Sequence, residues 1–464
     1  MTPPEPLHWA TAEQLGRLYR TGECSPVEVV DGLLDRIDHL DSSLHAYVHV
    51  DVDGAREAAR EAERELRSGN DRGPLHGVPV AVKDLCAIAG APHRAGSPVR
   101  SDVIPDADAT VVARLRAAGA VILGASSMTE GAYTMHHPSV TPPRNPWDSA
   151  RWTGISSSGS GVATAAGLCV ASLGSDTGGS IRFPSAACGL VGLKPTYGRV
   201  PLRGVALLGE SLDHVGPMTR RVADAAMMLD AIAGHDPADP TSLDAPAPGA
   251  LATLDDGVRG LRIGIDRRYA TDDLDPTIVD PILACADVFG DAGAVLTDVT
   301  LPGIDEFVLP WLLICASEGA AAHRDLFPAR RDEYGPALAA LLDAGHALSD
   351  ADVAEARAAG ERLCTGLATA FDELDMLLCP TIGVPIPPAL PDWSDQPALV
   401  RLTRFTLPFN LTGQPTISLP CGVAPDGMPL SLQLVGRRLD EAALCRAGQV
   451  FAQAGHWRDR HPRV

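Results

Sequence analysis

The stretch from Thr153 to Pro195 is dominated by Gly, Ser and Ala, and it constrains the fold more than any other part of the chain. It holds two tight segments, Thr153-Gly154-Ile155-Ser156-Ser157-Ser158-Gly159-Ser160-Gly161 and Gly174-Ser175-Asp176-Thr177-Gly178-Gly179-Ser180-Ile181-Arg182. A flexible linker shares this composition, but it would not interleave small residues with a helix-like run at 162–168 and a buried-strand run at 170–173. The two segments are therefore structured loops between packed elements.

The rest of the chain supplies those elements. Gly77-Val78-Pro79-Val80-Ala81-Val82-Lys83-Asp84 reads as a short buried strand that delivers Lys83 at its end. Residues 109–118 read as a helix and 120–124 as the next strand, so helices and buried strands alternate and the fold class is α/β. Residues 1–68 form an N-terminal helical layer with helices at 11–19, 26–40 and 53–67. Residues 236–258, with four prolines and several aspartates, read as a surface loop. Further on, 261–265 reads as a strand, 276–292 as a helix and 305–370 as largely helical. Strands are expected again at 376–381, 416–420 and 429–436.

With 464 residues, 45% hydrophobic and 21% charged, the chain can bury a large core. A formal net charge of -21, with no basic run to offset it, repels phosphate backbones and anionic membrane surfaces. Nucleic acid and membrane partners are not expected. Residues 1–20 lack a basic segment followed by an apolar one, and the cytoplasm is the expected compartment. Ten scattered cysteines without a C-x-x-C pair read as free thiols.

Of 38 basic residues only two are lysines, Lys83 and Lys194. A position that keeps Lys under this bias either packs by chance or needs an amine whose pKa can fall, which Arg cannot provide. Acyl transfer requires a nucleophile, a base and donors for an oxyanion. In Gly178-Gly179-Ser180, glycines without side chains let a carbonyl approach the backbone N–H groups of Thr177, Gly178, Gly179 and Ser180 beside the Ser180 hydroxyl. Asp176 and Arg182 flank this turn, and fixing it by charge-assisted bonds is weighed above a catalytic role.

These segments resemble the amidase signature family. The resemblance extends through Gly189-Leu190-Val191-Gly192-Leu193-Lys194-Pro195-Thr196-Tyr197-Gly198-Arg199, Ser211-Leu212-Asp213-His214-Val215-Gly216-Pro217-Met218, Asn410-Leu411-Thr412-Gly413-Gln414-Pro415 and Gln433-Leu434-Val435-Gly436-Arg437. It implies one amidase-signature domain over 1–464, a large mixed twisted sheet covered by helices on both faces. Within it, 74–235 is the catalytic core, 300–370 a variable helical substrate-pocket region and 375–440 a C-terminal return to the sheet. By motif it implies Lys83 as base, Ser156 as a relay through a cis peptide and Ser180 as the acylated nucleophile, with Ser157 in support as an alternative holder of the Lys83 amine. Met128, Thr129, Tyr133 and Trp311 are the implied pocket residues. Ile155 and Ser158 stand where the family commonly has glycine, which bears on the backbone of the relay loop.

The implied reaction is hydrolysis of a small-molecule amide, with aryl amides, esters and carbamates sharing its chemistry, and a homodimer is allowed. No metal or organic cofactor is required. Gly159-Ser160-Gly161 lacks the third glycine of a dinucleotide fingerprint, since Thr164 stands there, and His136-His137 lacks a partner at metal-binding spacing. Two other readings are the glutamine-hydrolysing component of a tRNA amidotransferase and an inactive binding scaffold. Ser127-Met128-Thr129-Glu130-Gly131 weakens the first, because it departs from the family's usual Asn-Met-Asp-Glu-Phe. The filled triad positions weaken the second.

Overall fold

The computed structural model describes residues 6–301, 304, 306–388, 395–455, 457 and 460–464. Positions 1–5 of the expected N-terminal layer, 302, 303 and 305 of the expected helical region and 389–394 of the C-terminal return lie outside the described residues.

Eleven strands form one mixed sheet: β1 (Tyr47–Val50), β2 (Pro79–Lys83), β3 (Val121–Ser126), β4 (Ala171–Ser175), β5 (Val191–Lys194), β6 (Val215–Thr219), β7 (Arg262–Ile265), β8 (Val295–Asp298), β9 (Met376–Pro380), β10 (Thr416–Val423) and β11 (Pro429–Gly436). Their spatial order is β1-β3-β2-β4-β6-β5-β10-β11-β9-β7-β8. Strand β2 runs parallel to both β3 and β4, whereas β4, β6, β5, β10, β11 and β9 are joined antiparallel. Strands β2 through β6 and β9 are buried along their whole length, which is why β2, β3, β4 and β9 read as unbroken apolar runs rather than alternating ones. The exposed strand is β8 at the sheet edge.

Helices flank this sheet. The first two begin at reciprocal capping boxes, Thr11 with Gln14 and Ser25 with Glu28, which satisfy amides otherwise orphaned at a helix start. They span Ala12–Thr21 and Pro26–Leu44, and a third covers Val52–Arg67. The short β1 lies between the second and third, where the sequence suggested only helix. The expected helix at 276–292 is two, Pro276–Ala284 and Ala286–Asp291, and Pro281 lies inside the first. The helix expected at 162–168 starts earlier, spanning Ser158–Ala165 directly after the serine loop, and is buried throughout. Three longer helices, Val308–Ala322, Pro336–Ala347 and Asp350–Phe371, fill most of 305–370. No helix among the described residues is long and apolar enough to cross a membrane.

Candidate active site

The site is built where the parallel strands β2 and β4 end side by side. Val82 pairs with Leu173, so Lys83 and Ser175 emerge from neighbouring strand ends. Lys83 is fully buried, and its Nζ lies 2.6 Å from Ser156 Oγ and 2.8 Å from Ser175 Oγ. Burial pushes the amine down to about 7, against the pull of the Asp213 and Asp176 carboxylates. The second partner of Lys83 is thus Ser175 and not Ser157. Ser157 braces the strand end instead: its Oγ donates to Ser175 O and accepts from Ser175 N, both at 3.2 Å. Ser175 belongs to the second glycine-rich segment, and the signal for it is a hydroxyl just past the buried-strand run at 170–173.

The Ile155–Ser156 peptide is cis. Ser156 O accepts from Thr129 N at 3.2 Å, and Ser157 N donates to Ser180 O at 3.3 Å, which ties the serine loop to the glycine turn. Ser156, Ser157 and Ser158 have no exposed surface, whereas Ser180 keeps 7%. A substrate can therefore reach Ser180 alone among these four. No hydrogen bond joins the Ser156 and Ser180 hydroxyls directly, and catalytic hydrogen bonds commonly close only around substrate.

Asp176 and Arg182 organise the turn between them. Arg182 Nε and Nη2 donate to the two Asp176 oxygens at 3.0 and 2.9 Å, a bidentate pair without solvent exposure. Burial alone would raise the Asp176 carboxyl, but the Arg182 guanidinium holds it well below the usual range. That carboxylate also accepts from Gly179 N at 2.7 Å and Ile181 N at 3.1 Å. Gly179 has φ +130°, open to glycine, and a Cβ there would stand 2.5 Å from the Phe183 ring. Two residues from the C-terminal return complete the cage, Asn410 donating to Asp176 Oδ1 at 2.9 Å and Gln433 accepting from Arg182 Nη1 at 3.2 Å. Sequence reasoning named both motifs but gave neither residue a role.

Ser180 opens on a recess lined by Thr177, Gly178, Tyr133, Ile155, Phe183, Trp311, Leu208, Thr403 and Leu407. The structure thus places Tyr133 and Trp311 at this recess. Met128 and Thr129 lie elsewhere: Met128 is wholly buried and Thr129 backs the serine loop, so neither lines the recess. Of region 300–370 only Trp311 reaches it among the described residues. Ile155 packs with Trp152 and Phe183 and lines the recess. Ser158 Oγ is 3.0 Å from His136 Nε2, and burial lowers that imidazole to about 4. Lys194, also fully buried, donates to Gln414 O at 2.6 Å and holds backbone. Both lysines of the chain thus sit where a cation would have no water.

A poised amine, buried hydroxyls, a serine at the mouth of a recess and a glycine turn beside it are the equipment of an acyl-transfer hydrolase. Comparison with known proteins gives that class its family: the amidase profile matches residues 28–445. AmiD of Mycobacterium tuberculosis, a putative amidase by name, is 44% identical over 462 residues, covering 97% of this chain and 95% of its own. A glutamyl-tRNA(Gln) amidotransferase component of Chloroflexus aurantiacus is 36% identical, covering 99% of each. Among solved structures, native peptide amidase from Stenotrophomonas maltophilia superposes with a TM-score of 0.85 at 31% identity, covering 99% of both chains. The chain belongs to the amidase signature family and is a hydrolase acting on the carbon–nitrogen bonds of amides. Its eleven-stranded mixed sheet flanked by helices is the fold of those enzymes.

Proposed function

We propose that the chain hydrolyses small neutral amides through an acyl-enzyme on Ser180, with Ser156 relaying protons to Lys83. The observation that carries this reading is the Lys83 amine, fully buried, near pKa 7 and 2.6 Å from Ser156 Oγ. Neutral Lys83 takes the Ser156 proton as Ser156 takes that of Ser180. The Ser180 oxygen then bonds to the substrate carbonyl carbon, the carbon–nitrogen bond breaks, and the leaving amine receives the proton back along the relay. Water attacks the ester by the same route, releasing the acid and restoring Ser180. The Gly179 amide is held by Asp176, so the oxyanion is met by the amides of Thr177, Gly178 and Ser180, which line the recess.

No charged residue lines the recess among the described residues, which favours an apolar or aryl group over a charged one. Carbamates and esters fit the same chemistry. The amidotransferase reading draws on the 36% identical relative, but free glutamine carries two charges that this lining leaves unpaired. The net charge of -21 and ten free cysteines support a cytoplasmic enzyme that does not act on nucleic acid.

A serine-directed fluorophosphonate is expected to label Ser180, read by intact mass and peptide mapping, and Ser180→Ala to abolish labelling. Persistent labelling of that variant would remove Ser180 as nucleophile. The purified chain alone is also expected to turn over neutral anilides or aliphatic amides in preference to glutamine; glutaminase activity that appears only with added partner proteins would shift the assignment to the amidotransferase.

A further inference from the structure

The glycine turn works as a hole only if its peptide planes are aimed, and each plane has its own lock. A trans peptide is planar, so its C=O and N–H point in opposite directions and fixing one aims the other. Asp176 O accepts from His214 N at 3.1 Å, which sets the Thr177 N–H. Gly179 O accepts from Phe183 N at 2.7 Å, which sets the Ser180 N–H. Gly179 N is itself held by Asp176 Oδ1 at 2.7 Å. Backbone or the Asp176 cage thus secures three of the four planes.

The fourth plane, Thr177–Gly178, is secured from far along the chain. Its carbonyl accepts from Trp311 Nε1 at 2.8 Å, and among the described residues no other donor reaches it. The indole also covers Gly178: a Cβ there would stand 2.7 Å from Trp311 Cζ2, so the amide and the ring are packed in direct contact. Trp311 is held in turn. Glu318, seven residues on and on the same face of the helix Val308–Ala322, accepts from Ser211 N at 2.8 Å, Ser211 Oγ at 2.7 Å and Arg357 Nη2 at 2.7 Å. Two residues past Ser211, Asp213 accepts the Thr177 hydroxyl and the Leu208 amide. The helix therefore grips the turn at Thr177 O directly and at Thr177 Oγ1 through the 208–213 loop.

We infer that Trp311 is a positioning residue that aims the Gly178 amide at the developing oxyanion, in addition to walling the recess. The inference rests on Ser180 being the nucleophile. A pocket wall binds ground state and transition state alike, whereas an aimed amide acts on the tetrahedral state alone, so the two roles separate in kinetics.

Trp311→Phe keeps a ring against Gly178 and removes the N–H donor. Its kcat is expected to fall about tenfold or more, short of the roughly 10²–10³ lost when an oxyanion donor is deleted outright, with KM changed less than about threefold. An alkyl or aryl boronic acid, which forms a tetrahedral adduct on the nucleophilic serine, should lose affinity by the same factor as kcat, while the product carboxylic acid binds as before. Should Trp311→Phe unfold, 3-benzothienylalanine at position 311 replaces N–H by sulfur at nearly constant shape and gives the same reading. The inference is overturned if kcat stays within twofold of wild type, or if the loss is in KM with boronate and product acid weakened equally. A wild-type enzyme that neither binds the boronate nor takes fluorophosphonate on Ser180 would instead remove the underlying assignment, and this inference with it.

Discussion

Lys83→Arg is expected to leave a folded protein whose kcat/KM is lower by about 10²–10⁴-fold or more, the range that loss of a general base commonly brings. The side chain is fully buried with two hydroxyl oxygens, Ser156 Oγ and Ser175 Oγ, within 2.8 Å of its nitrogen. A neutral amine has one lone pair and two hydrogens. It can accept the Ser156 proton while donating to Ser175, and the protonated form can only donate to both. Arg has five donors, no acceptor and a pKa above about 12, so it can satisfy the oxygens but never take the proton. The pH dependence follows in sign. Burial brings Lys83 to about 7, so the neutral fraction grows as pH rises through that value and kcat/KM should rise with it. A lysine acting only as a counter-ion would give a falling limb instead. The measurement is kcat/KM against pH for wild type, Lys83→Arg and the uncharged Lys83→Met, with thermal unfolding as the control for folding. A folded Lys83→Arg retaining more than about a tenth of wild-type activity would sink the base assignment.

What the sequence made legible follows from which strands are uniform and which contacts are local. Strands β2, β3, β4, β9, β10 and β11 were read because each is an apolar run bounded by turns or prolines. Strands β5 and β6 were not, because Val-Gly-Leu-Lys and Val-Gly-Pro-Met-Thr carry glycine, a buried lysine and a proline that argue against a central strand. The sheet accommodates Pro217 by a local device: the β5–β6 ladder ends at the Gly192–Met218 pair, so the missing N–H of Pro217 is not called on from that side. Strand β8 is four exposed residues at an edge, too short and too solvated to leave a pattern. In the site, Lys83, Asp176, Ser180 and Arg182 stand out through residue bias and glycine spacing, whereas Ser156, one of three consecutive serines, is singled out only by the family resemblance. Asn410 and Gln433 reach Arg182 across 228 and 251 residues, and no local pattern encodes such contacts. Met128 and Thr129 are pocket residues only by the family resemblance, and a motif does not say which side of a loop a side chain occupies: Met128 is buried and Thr129 N donates to Ser156 O.

That long-range cage sets the second large effect. Arg182→Met is expected to destabilise the fold by about 3–5 kcal/mol at neutral pH, because it leaves the Asp176 carboxylate buried without its counter-charge. This is a large part of the roughly 5–15 kcal/mol that holds a typical domain together. The loss should depend on pH in a defined direction. In wild type the Asp176 carboxyl is held below its ordinary value, so its stabilising contribution is complete above the unfolded carboxyl pKa of about 3.9 and fades as pH falls through the lower folded value. In Arg182→Met, burial, already the largest influence on this carboxyl, acts without the guanidinium and drives its pKa above the unfolded one. The folded variant then binds the proton that the unfolded chain has released, and its stability falls as pH rises from about 4 toward the raised value. The gap between wild type and variant should therefore widen from pH 4 to pH 7. Neutralising the second partner tests the cause: Arg182→Met with Asp176→Asn should recover part of the loss, since an amide at 176 can still accept from Gly179 N at lower desolvation cost. Denaturant unfolding of the four proteins at pH 4 and pH 7 gives the cycle. A gap that does not change between the two pH values, with no recovery in the double variant, would mean that Arg182 contributes by packing its buried volume and not by pairing the carboxylate that holds the turn.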